Sequence, residues 1–234
     1  MINQYKHLIH STRHFENLNI QAGSDYRYQD ILSLKSFELA NKEISSWDRY
    51  ESTPLHSLSD LASDNGVSLI AYKDESHRFS LKSLKALGGA YAVANLLIKK
   101  LKEQGIEAKS SDLIAGTYSE ITSKITVCCA TDGNHGRSVA WGAQKFGCNC
   151  EIYIHRTVSV AREEAIAKYG AIVNRINGNY DESVHIAAEV SESNGYYVVS
   201  DTSYEGYTDI PKDVMQGYTV MVDEAMKQME EVPT

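Results

Sequence analysis

The chain has 234 residues, 42% of them apolar and 23% charged, with a formal net charge of −8. That length and apolar content suit one large globular domain or two small ones, and the acidic balance argues against a nucleic-acid surface or an anionic-membrane surface. Four cysteines (Cys128, Cys129, Cys148 and Cys150) include no CxxC pair, so they read as small buried hydrophobes in a reducing compartment rather than as a zinc site.

The N-terminus, "MINQYKHLIHSTRHF", is polar and lacks the apolar core of a secretory signal, which points to the cytoplasm. The histidines at positions 7, 10 and 14 offer no metal set and read as surface residues. "DILSLKSFELANKEISSW" carries apolar residues at helical spacing. "STPL", from Ser52 to Leu55, marks an extended entry, because the residue before Pro54 is pushed out of the α region. Leu58 to Asn65 reads as a short helix ended by Gly66, and "VSLIAYKDE" as a strand. Leu84, Leu87, Tyr91, Ala94, Leu97, Ile98 and Leu101 then form the apolar stripe of a long helix that Gly105 closes. Its weakly polar run "ALGGAYAVANLLI" is too short and Gly-rich to span a bilayer.

Ile106 to Lys124 is polar and reads as a loop with a short helix. From Ile125 onward strands alternate with helices: "ITVCCA", "CEIYIH", "AIVNRI" and "YYVVS" are the strands. Helices follow in "RSVAWGAQKFG", around Val160 to Tyr169, and from Asp181 to Asn194. This alternation predicts an α/β fold with a parallel sheet between layers of helix. After Pro211 an amphipathic helix runs through Met215, Tyr218, Met221, Val222, Ala225, Met226 and Met229. Its apolar stripe is expected to pack on a missing half of the fold and would otherwise be an exposed Met-rich patch that drives dimerisation or aggregation.

In a parallel α/β sheet, ligands bind beyond the carboxyl ends of the strands, where helix N-termini point free N–H groups outward. Two polar clusters fall there: Thr131-Asp132-Gly133-Asn134-His135-Gly136 after the first strand, and Ser200-Asp201-Thr202-Ser203 after the fourth. Lys85, at a helix start, faces the same crevice in this reading. A cation at a helix N-terminus is disfavoured by the macrodipole, and burial also penalises the charged amine. Both effects predict a neutral, nucleophilic Lys85 able to condense with a carbonyl. Gly88 and Gly89 would let a flat ligand approach the backbone. Plain readings stand beside these: a surface lysine, Asp132 as a helix N-cap, Asn134 as a turn residue, a structural His135 and a solvated Asp201. No GxGxxG is present, so a nicotinamide fingerprint is absent.

Taken together, "TPL", "KDES-RF-L--LKALGG", "ATDGNHGRSVAWGAQKFG" and "DTSYEGYTDIP--VMQGY" resemble the pyridoxal-phosphate enzymes of the tryptophan-synthase-β fold type (fold type II). Within that type Asp132 and "DTSYEGY" resemble the diaminopropionate ammonia-lyase family. The resemblance runs from about Glu51 to Tyr218 and implies a three-layer α/β/α fold. Residues 1–78 would be the N-terminal part of a large domain. Residues 79–201 would be a small α/β domain with the cofactor lysine, and 202–234 a return segment toward the large domain.

The resemblance further implies that Lys85 carries pyridoxal 5′-phosphate and that Asn134 hydrogen-bonds the cofactor's 3′ oxygen, with Gly133 and His135 lining its site. Asp132 would take the α-proton of the D isomer of the substrate and Lys85 that of the L isomer, while Asp201 would hold the substrate amino group. The implied reaction is β-elimination from 2,3-diaminopropionate to pyruvate and ammonia by a cytoplasmic homodimer acting on a small amino acid, with no nucleic-acid or membrane partner.

No Gly-rich phosphate loop lies between Asp201 and Thr234. The family pattern is therefore truncated before that loop, and weak cofactor binding with little turnover is expected. Two alternatives stay open: a non-catalytic α/β module acting by interaction, and a serine or threonine dehydratase.

Overall fold

The computed structural model describes residues 30–230. The chain divides into residues 1–30 and residues 31–234, and all the elements below belong to the second unit. The histidines at positions 7, 10 and 14 lie outside the described residues.

Helix α1 (Leu34–Ser45) begins in a capping box, in which Ser33 accepts from the Ser36 N–H and Ser36 returns the bond. Strands β1 (Leu55–Ser57) and β2 (Ala71–Lys73) pair antiparallel around α2 (Ser59–Asn65), which ends on left-handed Gly66 as its sequence predicts. The strand expected over "VSLIAYKDE" is thus confined to three residues. A 3₁₀ segment (Glu75–Ser80) then leads into α3 (Lys85–Lys102). Its last turn closes on left-handed Gly105 (φ 78°), as expected: the Gly105 N–H reaches the Lys102 carbonyl at 2.9 Å and the Ile106 N–H the Leu101 carbonyl at 3.0 Å. The uncertain segment after it holds two short helices, α4 (Ser110–Ile114) and α5 (Ser119–Thr122).

The sheet follows: β3 (Thr126–Ala130), α6 (Asn134–Phe146), β4 (Asn149–His155), α7 (Val160–Ala167), β5 (Ile172–Ile176), α8 (Tyr180–Asn194) and β6 (Tyr197–Val198). All four strands are parallel, in the order β5-β4-β3-β6. The alternation of side chains along β3 and β4 builds the layers. Val127, Cys129, Ile152 and Ile154 join the larger core with residues of α3, α6 and α7, whereas Cys128 and Tyr153 pack on the other face with Ala187 of α8. The fold is therefore a three-layer α/β/α arrangement around a parallel sheet. The four cysteines are free, and burial pushes the Cys128 thiol up to about 12, so they serve as packing groups.

Connections through α6 and α7 carry the chain from β3 out to β5, and α8 then returns it to the other side of β3. The winding reverses at β3, so a crevice opens beyond the carboxyl ends of β3 and β6. Helix α9 (Asp209–Gln228) begins two residues ahead of Pro211, which occupies its first turn, where a missing N–H costs nothing. It packs along α3. There a Cβ on Gly88 would stand 2.5 Å from Tyr218 Cε1 and 2.7 Å from Val214 Cγ1. On the other flank of α3, a Cβ on Gly89 would stand 2.6 Å from Ser138 Oγ of α6. The glycine pair expected to admit a flat ligand is instead filled by neighbouring helices.

Candidate active site

The crevice at the β3 and β6 ends has a volume of about 300 Å³ and is lined by Lys85, the Ala130–His135 turn, Arg162, Tyr180 and Asp201. Three elements deliver its polar groups. Lys85 opens α3, the turn joins β3 to α6, and Asp201 follows β6. The spatial meeting of Lys85, Asp132, Gly133, Asn134, His135 and Asp201 is thus as the sequence reading placed them.

Lys85 is held from both sides. Its N–H donates to Ser83 Oγ at 3.2 Å, and its carbonyl accepts from Ser138 Oγ at 2.6 Å. Ser138 in turn accepts from the Ala90 N–H at 3.2 Å, which explains why Gly89 must leave room for it. Just upstream, Phe79, Ser80 and Lys82 adopt positive φ of 46°, 60° and 55°, a region that costs side-chain-bearing residues energy. The conformation is anchored by Arg78, whose side chain is fully buried between Glu75 (2.8 Å) and Glu224 of α9 (2.7 Å).

The Lys85 Nζ donates to Asp201 Oδ2 at 2.6 Å and stands 5.2 Å from the centroid of the Tyr218 ring. Burial pushes the amine's pKa down, but the Asp201 hydrogen bond and carboxylate, together with Tyr218, outweigh it, and the pKa lies above the ordinary lysine value. This corrects the neutral amine expected from burial and helix position: a carboxylate in contact decides the balance. The same pair acts on Asp201, where burial pushes up but His135 and Lys85 hold the carboxyl below its usual range.

His135, buried in the first turn of α6, donates from Nε2 to the Val199 carbonyl at 2.8 Å, and burial holds its pKa below the ordinary value. Its Nδ1, 3.6 Å from Asp201 Oδ2, has no hydrogen-bond partner among the described residues, and neither does the buried Tyr218 hydroxyl. Two such orphaned polar atoms beside an amine mark a place built for a polar ligand.

The turn itself is organised by Thr131, whose Oγ1 accepts from the N–H groups of Gly133 (3.0 Å) and Gly136 (3.1 Å). Gly133, not Asp132, is the N-cap of α6, and its φ of 152° with ψ of −76° is open only to glycine. Asn134 and His135 start the helix, so their N–H groups find no acceptor within it. Asp132 lines the open side of the cleft, with 65% of its side chain exposed, and pairs with His155 Nε2 at 2.8 Å. Of the lining residues, Arg162 and Tyr180 are not anticipated by any local signal, and the contact of Tyr218 with Lys85 arises only from the crossing of α9 over α3.

With the geometry established, comparison with known proteins adds the following. The family described as pyridoxal-phosphate dependent enzyme matches residues 47–234. Diaminopropionate ammonia-lyase of Escherichia coli (strain K12) is 44% identical over 183 residues, which is 78% of this chain and 45% of that protein. The Salmonella typhimurium protein of the same name is 40% identical over 185 residues, with the same two shares of 78% and 45%. A crystal structure of the holo form of the E. coli protein superposes with a TM-score of 0.77 at 41% identity, covering 85% of this chain and 50% of that one. The chain thus spans about half the length of these relatives.

Proposed function

The chain belongs to the pyridoxal-phosphate-dependent enzyme family, and from that premise we propose that it forms the lysine-bearing part of an ammonia-lyase that cleaves 2,3-diaminopropionate to pyruvate and ammonia. The observation that carries this reading is the Lys85 amine, 2.6 Å from Asp201, in one cleft with the Thr131–Gly136 turn. The orphaned Nδ1 of His135 and the glycine-only backbone at Gly133 fit a planar, polar cofactor beside that amine.

In this reading Lys85 holds pyridoxal phosphate, the Asn134 amide donates to its 3′ oxygen, and Gly133 and His135 line its edge. When bound, the cofactor supplies an electron sink for charge developing at the substrate Cα. Lys85 Nζ must give up its proton to react, and Asp201 opposes that loss while it stays paired with the amine. Nζ then takes the α-proton of the L isomer, and an Asp132 carboxylate oxygen takes that of the D isomer. Asp201 orients the substrate amino group. The β-amino group leaves as ammonia, and water releases the second nitrogen to give pyruvate.

The same reading carries residues 79–201 as a small cofactor-bearing domain in a cytoplasmic homodimer. Among the described residues no helix is long and apolar enough to cross a membrane. The test is to load the purified chain, desalt it, and assay pyruvate from diaminopropionate. Slow pyruvate release that is lost in Lys85→Ala supports the reading, whereas a cofactor band that survives desalting with rapid release would overturn the weak binding expected of the truncated pattern. Release from serine or threonine but not from diaminopropionate would move the assignment to a dehydratase.

A further inference from the structure

Asp132 has a support of its own. His155, the last residue of β4, places Nε2 2.8 Å from Asp132 Oδ1, while its Nδ1 lies 2.9 Å from Thr157 Oγ1. Parallel register sets Ala130 beside Tyr153, so two further residues bring His155 alongside the turn that follows β3. The ring is largely buried, with 17% of its side chain exposed, whereas Asp132 is mostly open. A carboxylate only accepts, so Nε2 carries the proton. Thr157 Oγ1, which can donate or accept, is the partner of Nδ1. The main chain of the turn is held from α7 as well, by Arg162 Nη1 donating to the Asp132 carbonyl at 3.3 Å.

We propose that His155, oriented by Thr157, is the positioning residue that fixes the Asp132 carboxylate at the cleft and thereby governs turnover of the D isomer. The proposal rests on the lyase reading above, in which Asp132 is the base for that isomer. An exposed aspartate free of partners spreads over several rotamers, and holding it in one costs side-chain entropy. A bond to Oδ1 from a packed ring settles that choice before substrate arrives. It leaves Oδ2, which accepts no hydrogen bond from the described residues, to take the proton. Lys85 owes nothing to this pair, since its amine donates to Asp201 and its carbonyl accepts from Ser138 Oγ. The consequence is therefore confined to one stereoisomer.

Two readouts test it. In the cofactor-free chain with isotope-labelled histidine, nuclear magnetic resonance is expected to show a proton held on His155 Nε2. Asp132→Ala or Thr157→Val is expected to move its ring nitrogens toward the mixture seen for free imidazole. In the cofactor-loaded chain, His155→Leu is expected to lower kcat for the D isomer on the order of a hundredfold, the scale of a misplaced catalytic group, with the L isomer changed less than about twofold. His155→Gln, which keeps an N–H donor near the Nε2 position, is expected to recover most of that loss. Equal losses for both isomers, failure of the Gln variant to rescue, or ring nitrogens unmoved by Asp132→Ala would each overturn the proposal. A loaded wild-type chain that turns over neither isomer instead refutes the lyase reading, and this proposal with it, so the two failures are told apart.

Discussion

Lys85 sits where two opposing influences meet, and which one prevails sets its chemistry. Burial alone would discharge the amine, yet Asp201 at 2.6 Å keeps it protonated and raises its pKa. Removing that carboxylate leaves only Tyr218 to oppose burial, so Asp201→Asn is expected to lower the Lys85 pKa and enlarge the neutral fraction at neutral pH. Condensation with pyridoxal phosphate, trapped by borohydride over a short time course, should then quicken several-fold at Lys85. An unchanged or slower rate would mean that Asp201 does not govern the amine. The raised pKa could not be read from the sequence, because Lys85 and Asp201 are separated by 116 positions and their contact exists only once β6 is docked beside β3.

Helix α3 is the element on which the site depends, and its two glycines explain how it is seated. Gly88 admits Tyr218 and Val214 of α9, and Gly217 of α9 admits the Leu87 carbonyl in return. Gly88→Ala is expected to force these helices apart and to cost about 1–3 kcal/mol, the range for overpacking a filled core. Thermal melting measures that loss, and cofactor retention should fall with it, because Tyr218 borders the Lys85 amine. A variant that melts like the wild type would show that the helices have slack.

The elements themselves were largely legible. Periodicity marked α3, α6, α8 and α9, and continuous apolar runs marked β3 and β4, because each buries a complete face. Misread were positions where a tertiary contact replaces a local rule. Lys85 is held charged by Asp201 instead of being discharged by burial, and Gly88 and Gly89 serve packing instead of a ligand.

At the scale of the molecule, a buried ionic cluster ties α9 to the strained segment ahead of Lys85. Arg78 bridges Glu75 and Glu224, Lys73 reaches Glu224 at 3.0 Å, and the Tyr50 hydroxyl donates to Glu224 at 2.8 Å. Arg78→Met leaves the buried Glu75 without a cation and Glu224 with Lys73 alone, and is expected to destabilise the fold by about 3–5 kcal/mol in denaturant titration. Glu224 supplies a pH signature as well. Burial pushes its carboxyl up, but Arg78 and Lys73 hold it down at about 2, against an ordinary 4.5. A depressed carboxyl stabilises fully above its unfolded value and loses that contribution as pH falls through the folded one. Stability is therefore expected to decline from about pH 4.5 toward pH 2, and Glu224→Gln should flatten that slope. An unaltered slope would remove Glu224 from the account. The pairing was not visible in the sequence: Lys73, Glu75 and Arg78 lie in the "KDES-RF" stretch, but Tyr50 and Glu224 meet them only through the fold.

The crevice, by contrast, was legible as a whole, because parallel βαβ winding places strand ends and helix starts together wherever the order reverses. The central claim is that this winding presents one amine, Lys85, to the cofactor. The direct measurement is to incubate the chain with pyridoxal phosphate, reduce with borohydride, digest and map the labelled peptide. The account predicts label on Lys85, lost in Lys85→Ala. Label concentrated on Lys82 or another lysine, with Lys85 unmodified, would contradict it.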